Sequence, residues 1–219
     1  MRWYGPCERV DYYTQRNNPP PETAALQCNV TAIVTMLDGS GIKLPDTKGM
    51  QPEGHLAHFC ETDPRVLAYM RDHQAWAVAL GWHPYTESST LMRAANLWLG
   101  QNAETGPVVY RQTQTLEGVI ADLVDGRCSV VLGRFTPGGH FVCIIGCQTE
   151  QFLDGDPAAK DVDLGAVKHV MVHDPWGDWH TGYRDHNGSR NLFTVDELMR
   201  LVLTEGKPTK WVHGIRKAV

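Results

Sequence analysis

Leu26-Gln27-Cys28-Asn29-Val30-Thr31-Ala32-Ile33-Val34-Thr35-Met36-Leu37-Asp38-Gly39 sets a cysteine at the start of an apolar helical run. Val30, Ile33, Val34 and Leu37 recur at i, i+3, i+4 and i+7, the spacing of a helix face buried against a core, and Asp38-Gly39 supplies a stop. Cys28 therefore falls in the first turn. There the unpaired backbone N–H groups and the positive end of the helix dipole favour a thiolate, the form that acts as a nucleophile. A buried structural cysteine would have the same local sequence, because free cysteine packs as a small hydrophobe. A base and an orienting acid elsewhere in the chain would separate the two readings.

Upstream of this helix, residues 1–27 include Tyr12-Tyr13-Thr14-Gln15-Arg16-Asn17-Asn18 and then Pro19-Pro20-Pro21, which reads as an extended arm able to frame a site. Downstream, residues 38–62 are rich in Gly, Pro and polar groups and read as a long surface excursion. Asp63-Pro64 opens a helix that continues through Val66, Met70 and Ala77 to Gly81. A third helix covers about Ser89 to Trp98, and a fourth, capped by Thr115, carries Leu116, Val119, Ile120 and Leu123 as far as Gly126.

The period then changes. Residues 129–135 and 140–146 read as two strands of a hairpin around Thr136-Pro137-Gly138-Gly139, Val167 to His173 as another strand, and Lys210 to Arg216 as a last one. Thr194-Val195-Asp196-Glu197 is a capping box that opens a short helix through Leu198, Leu201 and Val202. Helices first and antiparallel strands second define an α+β fold, expected in two layers.

The bulk properties bound the function. With 219 residues, of which 42% are hydrophobic and 21% charged, and no linker, the chain is read as one domain spanning 1–219. A net charge of -5 and a pI near 6.0 give no basic field for nucleic acid or anionic membrane, the basic tail from Lys207 to Lys217 being read as solvated surface. No stretch has the length of a membrane span, and the first residues lack the apolar segment of a secretory signal, so synthesis and residence in the cytoplasm are expected. The six cysteines are expected as free thiols, and the chain as a monomer.

His140 follows Gly138-Gly139 and opens a strand, so its imidazole can stand at a sheet rim where Gly139 leaves room for a substrate, the place for a general base. Asp174 follows the strand ending at His173 and precedes Pro175. If those strands are neighbours, Asp174 can hold one ring nitrogen while the other faces Cys28. Trp176, Trp179 and Tyr183 lie close by in sequence and are candidates either to line a groove for sugar or peptide or to fill the core. His55, His58 and Cys60 have ligand chemistry but no evident fourth partner, and neither metal nor cofactor is expected.

The segments Thr14-Gln15-Arg16-Asn17-Asn18, Gln27-Cys28-Asn29-Val30-Thr31-Ala32, Gly138-Gly139-His140-Phe141-Val142 and His173-Asp174-Pro175-Trp176-Gly177-Asp178-Trp179 resemble papain-superfamily cysteine peptidases related to bacteriocin-leader peptidases, and most of all the single-domain phage endolysins of that group. The resemblance runs from about Tyr12 to Leu203. It implies a papain-like fold, Cys28 as nucleophile, His140 as base, Asp174 as orienting acid and an upstream glutamine as oxyanion donor. Gln15 is favoured by its motif for that last role, with Gln27 in reserve. It also implies peptidoglycan as substrate and, for an endolysin, holin-type release to the wall. A cytosolic processing peptidase and a catalytically silent phage module of the same fold stay open as alternatives.

Overall fold

The computed structural model describes residues 1–102, 108–112, 115–155, 157–202 and 212–215. In chain order the regular elements are β1 (Arg2–Tyr4), α1 (Cys28–Gly39), α2 (Pro52–Thr62), α3 (Pro64–His73), α4 (Ala75–Ala79), α5 (Ser88–Trp98), β2 (Val109–Gln112), α6 (Leu116–Val124), β3 (Ser129–Gly133), β4 (His140–Thr149), β5 (Val167–His173), β6 (Asn191–Phe193), α7 (Val195–Val202) and β7 (Val212–Ile215). Single 3-10 turns at Gln15–Asn17 and Ala24–Leu26 fold the N-terminal segment, which is extended only in part.

The strands form one antiparallel sheet in the order β2-β7-β3-β4-β5-β6, with β1 added along β4. β4 is its centre. Val142 to Cys147 are buried without interruption, because alternate side chains enter different cores. Cys143 and Ile145 join the core around α1, α2 and α5, whereas Val142, Ile144 and Cys147 join the one around α6 and α7. Helices therefore cover both faces, and the expected two layers are three. The unbroken apolar run of β4 has this physical cause, since a strand with one wet face would alternate.

α1 is the buried axis of the helical layer. All its residues except Cys28 and Asp38 are buried, more than the expected stripe. Its threonines are accommodated by bonding back along the helix, Thr31 Oγ1 to the Gln27 carbonyl at 2.9 Å and Thr35 Oγ1 to the Thr31 carbonyl at 3.0 Å.

Several sequence expectations change in detail. The excursion at 38–62 holds α2, started by Pro52 in the first turn and anchored by Leu56, Ala57 and Cys60. The helix expected from Asp63 to Gly81 is two, interrupted at Gln74, where φ is −129° and ψ 38°. Asp63 caps α3 as foreseen, accepting from the Arg65 N–H at 2.9 Å. β3 stops at Gly133, so six residues separate it from β4 instead of four, because Phe135 turns back over Gly133 to pack against Phe193 and His140. The last strand is seen as Val212–Ile215, the flanking residues lying outside the described part. The capping box of α7 is formed: Thr194 N–H donates to Glu197 Oε2 at 2.8 Å, and Glu197 N–H to Thr194 Oγ1 at 3.2 Å.

Candidate active site

Three chain segments converge at one end of the sheet. The helix layer supplies Cys28 as the first residue of α1, half-buried. The sheet supplies His140 as the first residue of β4 and Asp174 immediately after β5. The sequence condition that these strands be neighbours is met, since β4 and β5 pair with Cys143 opposite His173. His140 Nε2 lies 2.7 Å from Asp174 Oδ1, with the imidazole 4% exposed and the carboxyl group fully buried. That bond leaves Nδ1 as the ring nitrogen for Cys28, whose thiol is within hydrogen-bonding reach of the imidazole.

The electrostatics follow from this contact. Burial acts to raise the Cys28 pKa. The charge and hydrogen bond of His140, with the backbone N–H groups of Phe141 and Asn29, outweigh burial and hold the thiol below its ordinary value. His140 shows the mirror effect: burial would lower it, and the charge of Cys28 together with the hydrogen bond to Asp174 raises it. Both directions favour the charged forms of the two groups, at the positive end of a helix. His173, next to Asp174 in the chain, is no rival base. Burial, aided by the Arg190 charge, pushes it down to about 4, and its ring stands edge-on to Tyr12 at 5.5 Å.

Asp174 is held on every side. Its Oδ1 also accepts from the Trp176 N–H at 2.9 Å, and Oδ2 accepts from the Tyr183 hydroxyl at 3.2 Å. Its backbone N–H donates to the Gly188 carbonyl at 2.9 Å, so close an approach that a Cβ on Gly188 would overlap the Asp174 carbonyl. Tyr12 closes the shell, donating to that same carbonyl at 2.8 Å and accepting from the Gly188 N–H at 2.9 Å. The N-terminal segment continues along the turn: Thr14 Oγ1 and the Gln15 N–H donate to the Pro175 carbonyl at 3.1 Å, and Arg16 Nε donates to the Trp176 carbonyl at 2.6 Å.

Cys28 opens onto a cleft of about 360 Å³ lined also by Leu26, Trp76, Trp82, Leu132, Gly139 and Phe141. Gly139 stands where the sequence put it, at φ +83°, a conformation that favours glycine. Two expected substrate contacts do not line this cleft. Among the described residues that line the cleft, Gln27 and Trp176 do not occur: Gln27 Nε2 donates to Thr23 Oγ1 at 3.2 Å and the Pro19 carbonyl at 3.3 Å, and the Trp176 ring lies under the Arg16 guanidinium at 4.0 Å. Gln15 is buried, and its Nε2 donates to the Ala24 carbonyl at 2.8 Å, next to the cleft residue Ala25. Among the described residues no three metal-ligating side chains gather; His55 accepts from Trp98 Nε1 at 2.9 Å, and Cys60 is sealed in the core.

Sequence reasoning did not assign Tyr183 a bond to Asp174, nor Trp76 and Trp82 a place beside the thiol. Tyr183 reaches the carboxylate from a backbone at φ +64°, which no local pattern announces. Trp76 lies on α4, inside what reads as one continuous helix, and Trp82 just past the Gly81 that ends that reading.

No family model, no curated protein and no solved structure matches the chain. The arrangement itself is an α+β fold in which a helix start presents a thiol to a histidine–aspartate pair at strand ends.

Proposed function

We propose that the chain is a cysteine hydrolase of papain-like fold that cleaves an amide bond of bacterial peptidoglycan through a thioester on Cys28. The observation that carries the reading is the Cys28–His140–Asp174 succession, with Cys28 at the wall of an open cleft and the other two buried behind it. The wall substrate rests on the resemblance to phage endolysins, and with it comes delivery from the cytoplasm by holin-type release. Among the described residues no helix is long and apolar enough to cross a membrane.

The thiolate adds to the scissile carbonyl carbon, and the oxyanion that forms is met by the backbone amides at the start of α1 and by the Gln15 side chain. The C–N bond then breaks as the His140 imidazolium gives its proton to the departing amine, leaving a thioester. Water attacks that thioester, His140 takes the proton, and a carboxylic acid leaves with the thiolate regenerated. Asp174 keeps the ring plane and the tautomer fixed throughout.

Mass spectrometry of purified peptidoglycan digested by the wild-type chain and by Cys28→Ala tests this directly. New amine and carboxyl ends are expected with the wild type alone. A wall left intact by the wild type, or opened equally by both, rejects the reading.

A further inference from the structure

Trp76, Val78, Leu80, Trp82 and Leu26 are among the most exposed large hydrophobic residues of the molecule, between 44% and 67% open to solvent. Three of them, Leu26, Trp76 and Trp82, line the cleft that holds Cys28. The two indoles meet edge to face with ring centres 5.0 Å apart, and Trp76 is fixed by an Nε1 hydrogen bond to Gln74 Oε1 at 2.9 Å. Half-open indoles at a rim form a platform, not the enclosed socket that swallows an aliphatic side chain. An exposed apolar surface of this kind beside a nucleophile marks a ligand contact.

The charges of the cleft narrow the ligand. Among the described residues lining it, Glu87 is the only ionisable group besides Cys28. Its Oε2 is already engaged as the cap of α5, accepting from the Thr90 N–H at 2.7 Å and the Thr90 hydroxyl at 2.8 Å. No lysine or arginine among those residues faces the cleft to meet a carboxylate. Of the two parts of peptidoglycan, the stem peptide carries free carboxylates and an amino group, which this wall would desolvate without pairing. The glycan strand presents pyranose rings with apolar C–H faces and uncharged acetamido and hydroxyl groups. Rings of that kind stack on indoles while their hydroxyls stay in water.

We infer that the Trp76–Trp82 wall is a subsite for an N-acetylated pyranose of the glycan strand, so that the bond cut is the amide between the sugar's lactyl group and the first residue of the stem peptide. The lactyl carboxyl becomes the acyl group on Cys28, and the peptide leaves with a free α-amino end. The inference rests on the peptidoglycan reading and names the part of that substrate this cleft holds.

The test separates binding from turnover. Calorimetric titration of the full Cys28→Ala chain uses two probes, a soluble β-1,4-linked N-acetylglucosamine tetramer and a synthetic stem tetrapeptide. Binding of the tetramer, weakened at least about tenfold by Trp76→Leu with Trp82→Leu, is the expected result; the exposed positions and the retained bulk preserve the fold, checked by melting curves. No binding of the tetramer overturns the subsite, as does a tetrapeptide that binds in the same tryptophan-dependent way. Wild-type digests should then contain intact stem peptides with free amino ends. Cleavage inside the stem overturns the inference and leaves the hydrolase standing, whereas tetramer binding by a chain that never opens the wall upholds the sugar site and removes the hydrolase.

Discussion

Cys28 and Cys60 lie on neighbouring helices, one at the start of α1 beside the cleft and the other in the last turn of α2 within the core. Burial acts on both thiols in the same direction. At Cys60 only a backbone hydrogen bond opposes it, and burial with the Glu61 charge alongside pushes the thiol well above its ordinary value. At Cys28 the imidazole of His140 reverses the sign. The comparison shows what sets a thiol's acidity: Cys60 is sealed in the core with no cation beside it among the described residues, whereas Cys28 stands at a helix start, half-buried, with an imidazole alongside. Cys143 on β4 makes the same point, since it shares the core and is also raised by burial.

The contrast is broken most severely by removing each sulfur. Cys28→Ala is expected to lower turnover about 10⁴-fold or more with an unchanged melting point. Cys60→Ala should keep full turnover per folded molecule and lose about 1 kcal/mol, read as a drop of a few degrees in Tm. Wall-lysis rates and melting curves measure both, and an active Cys28→Ala ends the assignment.

Brief alkylation by iodoacetamide with peptide mapping reads the same difference without a substrate. Cys28 should label about a hundredfold or more ahead of Cys60 and Cys143 at pH 6, below the ordinary thiol range. Its lowered value keeps it reactive as the pH falls, until the medium passes that value. Catalysis should decline on the alkaline side only where the raised His140 loses its proton, above the ordinary imidazole range. First labelling of Cys60 would invert the comparison.

Two glutamines sharpen it further, because both are buried and, among the described residues, Gln15 Nε2 donates to the Ala24 carbonyl alone and Gln27 Nε2 to both Pro19 and Thr23. Gln15→Ala should slow turnover about a hundredfold, the typical loss of one oxyanion donor, and Gln27→Ala within about threefold. The reverse ranking in kcat would reassign the donor.

The partner of the imidazole comes next. Asp174→Ala should cost about a hundredfold in rate normalised to titrated thiol, and Asp174→Asn about tenfold, since the amide still orients the ring but gives up the charge. Equal losses would mean that orientation plays no part. The smallest effect is expected for Tyr183→Phe, which removes one hydrogen bond to Asp174 Oδ2: about fivefold in kcat with KM unchanged, and no further loss when combined with Asp174→Ala. Additive losses in that double variant would make Tyr183 an independent packing residue.

Much of this was written locally and some of it was not. The 3.6 period through Val30, Ile33, Val34 and Leu37, the Thr115 and Thr194 caps and the apolar run of β5 carry their own geometry, so those elements stand close to where the sequence puts them. α2 was illegible because its buried apolar side chains, Leu56, Ala57 and Cys60, make only one turn of stripe among histidines and the equally buried Glu53 and Gly54. The break at Gln74 has no Gly or Pro to announce it. At the site, Cys28, His140 and Asp174 each sit at an element boundary that pattern reading detects. The surroundings of Asp174, from Tyr12 to Gly188, are pairings between distant segments that no local spacing encodes.

Those pairings have a consequence for when the site comes into being. α1 needs only its own twelve residues to coil, but the bond from Tyr12 to the Asp174 carbonyl joins positions 162 apart in the chain. Thr14 and Arg16 fasten to Pro175 and Trp176 over 161 and 160 residues. Closing a loop of that span is an entropic loss that local helix formation does not face, so such contacts form late. A nascent chain emerging from the ribosome therefore carries its cysteine for most of its synthesis without histidine or acid beside it. The three side chains meet only when the later part of the polypeptide has returned to its beginning.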